Sequence, residues 1–119
     1  GEAIDLETVF KSATQQHRFN APYQTGTDKT WPTKAFSTTH PIQHNDIVVM
    51  GSDGIFDNLY NDDIHSCVRH FVKRDSLDVS NLQHTANCLS TLAEVKGYNE
   101  EYDSPFAKEA KAHGKNYPG

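Results

Sequence analysis

The most constraining feature of the sequence is the continuously apolar run Ile47-Val48-Val49-Met50. A short run of this kind is typical of a β-strand that is buried on both faces of a sheet. It stops abruptly at Gly51-Ser52-Asp53-Gly54, where small residues surround a carboxylate. The pattern predicts a strand that ends at a sheet edge and holds Asp53 there.

The rest of the chain predicts a few strands followed by helices. Two short runs near the start, residues 6–12 and 15–20, favour strands that form a hairpin. A long irregular connection covers residues 24–45. Three helices are then predicted, over residues 62–73 with Asn61 as N-cap, over residues 80–96, and from Ser104 to Gly114. This order indicates a layered α+β fold.

The apolar spacing in the first of these helices predicts which of its residues are buried. Five residues recur at the interval of one helical face, and they are Ile64, Cys67, Val68, Phe71 and Val72. We therefore expect Phe71 to be buried against the sheet. In the second predicted helix the corresponding face carries Leu82, Ala86, Leu89 and Ala93.

Composition narrows the classes of protein that are compatible with the chain. The 119 residues include 11 basic and 16 acidic side chains, which give a net charge of −5 with no basic cluster. Nucleic acid is therefore disfavoured as a partner. No apolar run approaches a membrane span. The apolar share of 35% is low for a globular domain, which favours a piece of a larger core.

The two cysteines, Cys67 and Cys88, lie far apart in the sequence and form no metal-binding pair. A secreted domain stapled by disulfides would carry more cysteines in this length. We therefore expect two free, buried or half-buried thiols.

Asp53 is the strongest candidate for chemistry. A carboxylate fixed at the end of a buried strand suits Mg²⁺ or Mn²⁺, and Gly54 would let the backbone turn sharply. The alternative is that Asp53 caps a turn, as aspartate often does. Calcium-loop, phosphate-loop and zinc spacings are all absent, so the histidines are expected to be surface or hydrogen-bonded residues.

Three segments, in order, resemble the metal-dependent protein phosphatases of the 2C type. Residues 46–58 are similar to the family's strand and its "SDGLFDN" turn. Residues 15–24, QQHRFNAPYQ, and residues 102–107, YDSPFA, are similar to one branch, which includes mitochondrial members and relatives of sporulation phosphatases.

The resemblance implies a β-sandwich flanked by helices, a four-layer α-β-β-α fold that is incomplete in this chain. It implies two Mn²⁺ or Mg²⁺ ions and hydrolysis of phosphoserine or phosphothreonine in protein substrates. Asp53 would be a metal ligand, whereas Gly54 and Asp57 would support the turn. The location implied is intracellular and, by analogy with the branch, mitochondrial; no oligomeric state is implied.

The sequence also departs from the family pattern. The early Asp-Gly motif, the phosphate-binding arginine and the final Asp-Asp or Asp-Asn pair are missing. We therefore expect residues 1–119 to be the C-terminal portion of one phosphatase domain, inactive alone and cut before its last strand. A non-catalytic pseudophosphatase or interaction domain of the same fold stays open as the alternative.

Overall fold

The computed structural model describes residues 6–13, 16–22, 35–73 and 78–116. They form two compact units, one of Val9–His44 and the other of Gly1–Thr8 with Asn45–Gly119. The elements are strands β1 (Gln16–Arg18) and β2 (Ala21–Pro22) and helices α1 (Asp53–Phe56), α2 (Asn61–Phe71), α3 (Val79–Gly97) and α4 (Pro105–Ala112). None of the helices in the described part of the chain is long and apolar enough to cross a membrane.

The unit Val9–His44 contains the antiparallel hairpin of β1 and β2. Its turn places Asn20 at a φ of 56°, a left-handed conformation that asparagine tolerates. The predicted strand over residues 15–20 is present in part as β1, but the predicted hairpin is wrong, because β1 pairs with β2 and residues 6–13 form no strand. The predicted irregular connection lies partly outside the described residues; residues 35–45 contain no helix or strand.

The second unit, Gly1–Thr8 with Asn45–Gly119, contains helices α1 to α4 and is called the helical unit below. It is built around the packing of α2 against α3. One buried cluster joins these helices to the short segment before α2, and its members are Leu59, Ile64, Cys67, Leu89 and Ala93. Leu59 is completely buried. Five half-buried apolar residues surround the cluster, namely Val49, Ile55, Phe56, Cys88 and Leu92. The core therefore links α1, α2 and α3.

The predicted apolar stripe of α2 is confirmed at its centre and wrong at its end. Ile64, Cys67 and Val68 are buried, but Phe71 is only half-buried. The Phe71 ring does not lie on a sheet: it stacks on His84 of α3, with ring centroids 5.6 Å apart. Helix–helix packing therefore replaces the expected helix–sheet contact at this position.

On α3 the buried face is rotated from the predicted one. Leu89 and Ala93 are buried as expected, but Leu82 is 42% exposed and Ala86 is exposed. Thr85 is buried instead, because its hydroxyl donates to the carbonyl oxygen of Asn81, at 2.8 Å, and so needs no water.

The helix starts follow capping chemistry. Ser104 is buried and caps α4 by accepting a hydrogen bond from the Ala107 N–H at 3.1 Å, as predicted. The N-cap of α2 is Tyr60 and not the predicted Asn61, because the Asp63 carboxylate accepts a hydrogen bond from the Tyr60 N–H at 2.9 Å. Because of this bond, α2 begins at Asn61, one residue earlier than predicted.

Asp63 also joins the start of α2 to the end of α3. Lys96 Nζ lies 2.9 Å from Asp63 Oδ1 and 3.3 Å from the Tyr102 hydroxyl. Burial alone would lower the pKa of Lys96, but the hydrogen bonds to Asp63 and Tyr102 outweigh it and raise that pKa above its usual range. The ammonium group therefore stays charged where it braces the two helices.

The prediction of free thiols is wrong, because Cys67 and Cys88 form a disulfide between α2 and α3. The two Cα atoms are 5.8 Å apart, which is within the range of a disulfide. The contact arises because Cys67 lies on the buried face of α2 and faces α3, an arrangement that their separation in the sequence does not reveal.

The strand predicted over residues 47–50 is absent, since this apolar run forms neither a strand nor a helix, and the run is not buried on both faces. Val49 is half-buried against the core, but Val48 is 73% exposed and Met50 is 93% exposed. A strand is buried on both faces only when neighbouring strands and covering layers are present, and the described residues place no strand beside it.

Candidate functional site

Asp53 is the first residue of α1, directly after the N-cap Ser52. The Ser52 hydroxyl accepts a hydrogen bond from the Gly54 N–H at 3.3 Å, so Ser52 performs the capping role that was the alternative for Asp53. Asp53 is exposed, and no described residue donates a hydrogen bond to its carboxylate. The carboxylate is therefore available to a ligand from solvent.

Gly54 lies inside the turn, but its role differs from the expected one. Its backbone is helical and has no positive φ, so the sharp turn predicted at Gly54 is absent. The glycine with the closest packing in this turn is Gly51, since a Cβ there would lie 3.2 Å from Ile55 side-chain atoms, a tight contact that Ile55 would have to relieve by shifting slightly. The Gly54 carbonyl instead accepts a hydrogen bond from Asn58 Nδ2 at 3.0 Å.

Asp57 closes α1 as its C-cap residue. Its N–H donates to the carbonyl oxygen of Asp53 at 2.7 Å, and its own carbonyl accepts from the Phe106 N–H of α4 at 3.0 Å. Burial raises the pKa of the Asp57 carboxyl, and the negative charge of Asp53 raises it further. The two carboxylates therefore repel each other across one turn, and a cation between them and solvent would reduce that repulsion.

An open cleft of about 530 Å³ lies beside this turn, between α1 and α3. It is lined on its polar sides by Ser52, Gly54, Asn58, Ser90, Glu94 and Tyr98. Asp53 does not line it, so the cleft adjoins the candidate ligand without enclosing it.

The described residues contain no cluster of three or more metal-binding side chains. Asp53 thus stands as one carboxylate, with Asp57 one turn away, and its role as a metal ligand stays a prediction. His65 hydrogen-bonds to the Thr8 hydroxyl at 2.9 Å, consistent with a structural histidine. Sequence reasoning gave no role to Asn58, although the residue falls within the same turn.

The chain is similar over most of its length to curated proteins that are called protein phosphatases. It is 38% identical over 114 residues to "Probable protein phosphatase 2C 80" of Arabidopsis thaliana, an alignment covering 94% of this chain. It is 35% identical over 122 residues to "Protein phosphatase PTC7 homolog fig" of Drosophila willistoni, and 31% identical over 124 residues to "Protein phosphatase PTC7 homolog" of Homo sapiens.

These alignments cover only part of each relative. The matched share is 27% of the Arabidopsis protein, 38% of the Drosophila protein and 39% of the human protein. The chain therefore spans well under half the length of the curated relatives that it matches. No protein-family model and no solved structure matches the chain.

Proposed function

Because the chain belongs to the protein phosphatase 2C family, we propose that it contributes to a phosphatase that hydrolyses phosphoserine and phosphothreonine in proteins. The observation that carries this proposal is the 38% identity to a protein phosphatase across 94% of the chain. The aligned region includes helices α2–α4, so the similarity extends far beyond a chance match to one short motif.

The proposal includes the place of the chain within the enzyme. Because the matched relatives are longer, residues 1–119 would be the C-terminal portion of one phosphatase domain, with the α-β-β-α architecture that the resemblance implies. Neighbouring strands of that sandwich would cover the exposed side chains of Val48 and Met50. The mitochondrial location implied by the branch stays a prediction.

The donor chemistry of the α1 turn fits Mg²⁺ or Mn²⁺. Both ions prefer carboxylate oxygen, and Asp53 presents an exposed carboxylate whose negative charge already acts on Asp57. A divalent ion at this turn would supply positive charge to the phosphate oxygens and make a water molecule more acidic. Asp53 would hold it, while Ser52, Gly54 and Asp57 fix the backbone that carries Asp53.

One carboxylate is too few for the complete site. Two-metal hydrolysis requires several ligands that converge on both ions, and the described residues offer no cluster of three. The chain would therefore be inactive on its own, and the remaining ligands would come from other parts of the domain. The alternative is a pseudophosphatase that keeps the fold and binds proteins without catalysis; the retained Asp53 favours the enzyme.

The test is the substitution Asp53→Asn in the full-length protein, assayed on a phosphothreonine peptide with millimolar Mn²⁺. If Asp53 binds an essential metal, activity should fall by orders of magnitude, roughly a hundredfold or more, with an unchanged circular dichroism spectrum. Asp62→Asn is the matched control, because Asp62 is an exposed aspartate in the first turn of α2. A loss of about tenfold or less for Asp53→Asn would refute the ligand role.

A wild-type full-length protein without activity under these conditions would favour the pseudophosphatase. The isolated 119-residue chain, assayed in parallel, should show no turnover. Turnover by the chain comparable with that of the full-length protein would contradict the need for further ligands.

A further inference from the structure

We propose that Asn58 is a positioning residue for Asp53: its side-chain amide locks the single turn of α1 and thereby fixes the direction of the Asp53 carboxylate. This inference rests on the proposed function, since it gives Asn58 a role toward the metal that Asp53 would hold. Asn58 itself would touch neither the ion nor the substrate.

The need for such a lock follows from the length of α1. The helix has four residues, and a helix this short does not form on its own in water. Its backbone bonds must therefore be supported by side chains and by neighbouring elements. Two side chains act on Gly54, the residue next to Asp53. Ser52 accepts from its N–H at 3.3 Å, and Asn58 donates to its carbonyl at 3.0 Å.

Asn58 is well placed to transmit rigidity from the core. It directly precedes Leu59, which is completely buried, and the Leu59 N–H donates to the Ile55 carbonyl at 2.9 Å. The Asn58 amide also lies against the last residue of α3, because a methyl group at Gly97 would be 3.6–3.8 Å from three of its atoms. The amide is thus held between α3 and the Gly54 carbonyl.

Two backbone hydrogen bonds of Asp57 also fix the α1 turn relative to α4. The Asp57 carbonyl accepts from the Phe106 N–H of α4, and the Asp57 N–H reaches the carbonyl of Asp53 itself. Phe106 thus fixes the C-terminal end of α1. The N-terminal half is held by backbone bonds to the Ser52 and Asp53 carbonyls and by the two side-chain bonds on Gly54. Removal of the Asn58 bond should therefore loosen the segment that carries Asp53 while the rest of the unit stays folded.

The experiment compares Asn58→Ala with wild type in the full-length protein by two measurements besides activity. The first is Mn²⁺ affinity by isothermal titration calorimetry, and the second is amide hydrogen exchange over residues 53–59. We expect Asn58→Ala to weaken Mn²⁺ binding roughly tenfold to a hundredfold, the effect typical of losing a residue that orients a metal ligand. Exchange at Asp57 and Leu59 should accelerate.

Asn87→Ala is the matched control. Asn87 is exposed on α3, and its side-chain oxygen accepts from Gln83 at 3.1 Å, so this change also deletes an asparagine hydrogen bond. Asn87→Ala should change neither the Mn²⁺ affinity nor the amide hydrogen exchange over residues 53–59. Asn58→Asp is a second variant, because it keeps the size of the side chain but replaces the donor with an oxygen. Its added negative charge would by itself strengthen cation binding, so weaker binding in this variant would point to lost positioning.

The outcomes separate this inference from the proposed function. If Asp53→Asn weakens Mn²⁺ binding at least tenfold but both Asn58 variants bind within twofold of wild type, Asp53 is a ligand and the positioning role is wrong. Faster exchange in Asn58→Ala with unchanged affinity would likewise reduce Asn58 to a structural residue. If Asp53→Asn itself leaves the affinity unchanged, the ligand assignment fails and the positioning role fails with it.

Discussion

Opening the Cys67–Cys88 disulfide should destabilise the helical unit by a predictable amount. The two cysteines are 21 residues apart, and a cross-link that closes a loop of this size reduces the entropy of the unfolded chain. The chain-entropy relation gives about 3 kcal/mol for such a loop. Because single domains are stable by only about 5–15 kcal/mol, this is a large share of the total.

The assay is urea unfolding of the purified protein, followed by circular dichroism, with and without dithiothreitol. A loss of about 3 kcal/mol corresponds to a fall in midpoint of roughly 1–3 M urea, given a typical denaturant slope for a small protein. The double variant Cys67→Ala/Cys88→Ala is the control, because its midpoint should not respond to the reductant.

Thiol counting provides the decisive measurement. The unreduced 119-residue chain, unfolded in urea, should release no free thiol, and two thiols should appear only after reduction. Two titratable thiols before reduction, or the same midpoint in both buffers, would refute the cross-link and restore the interpretation of free cysteines.

Two further substitutions test the packing of α2 and α4 by thermal or urea unfolding. Phe71→Ala should lower the free energy of unfolding by about 1–3 kcal/mol, less than the 3–5 kcal/mol typical of a fully buried phenylalanine, because the ring is half-buried on His84. If the loss is the same in a His84→Ala background, the stacking contributes nothing. Ser104→Ala should lower the free energy of unfolding by about 1–2 kcal/mol, because it removes the buried cap of α4. The control Ser66→Ala, at an exposed serine, should stay within about 0.5 kcal/mol of wild type. Equal effects of the two changes would contradict the capping role.

Helix positions were predictable because their signals are local. The Ser104-Pro105 pair fixes the start of α4, and the periodic apolar residues identify α2 and α3. The N-cap of α2 was missed by one residue because it depends on a bond from the Tyr60 N–H to Asp63, and asparagine at position 61 is the better cap by propensity alone.

Contacts between elements were less accessible to sequence reasoning. The disulfide requires Cys67 and Cys88 to meet across two packed helices, and periodicity on either helix does not give their relative rotation. The burial of the apolar run 47–50 depends on neighbouring strands, which periodicity cannot supply. For the same reason the α-β-β-α architecture stays a prediction.

The candidate site likewise combines a residue that the sequence indicates with a contact that it does not. Asp53 could be singled out as a candidate because a small-residue turn after an apolar run is a visible pattern, and family resemblance strengthened that prediction. The bond from Asn58 to Gly54 depends on α1 ending after one turn, at Phe56, which the sequence did not indicate. A side chain that braces a candidate ligand is therefore harder to predict from the sequence than the candidate itself.

The bond from the Tyr60 hydroxyl to the Asp103 carbonyl has a consequence for synthesis on the ribosome. The two residues are 43 positions apart, and the bond length is 2.6 Å. At about 5–20 residues per second, roughly 2–9 s separate the translation of the first partner from that of the second. During this interval the N-cap of α2 has no distal anchor, and the Asp57 carbonyl has not yet met Phe106. The nascent chain should therefore acquire α2 and α3 first, and the C-terminal end of α1, at Asp57, should be fixed only when the start of α4 has emerged.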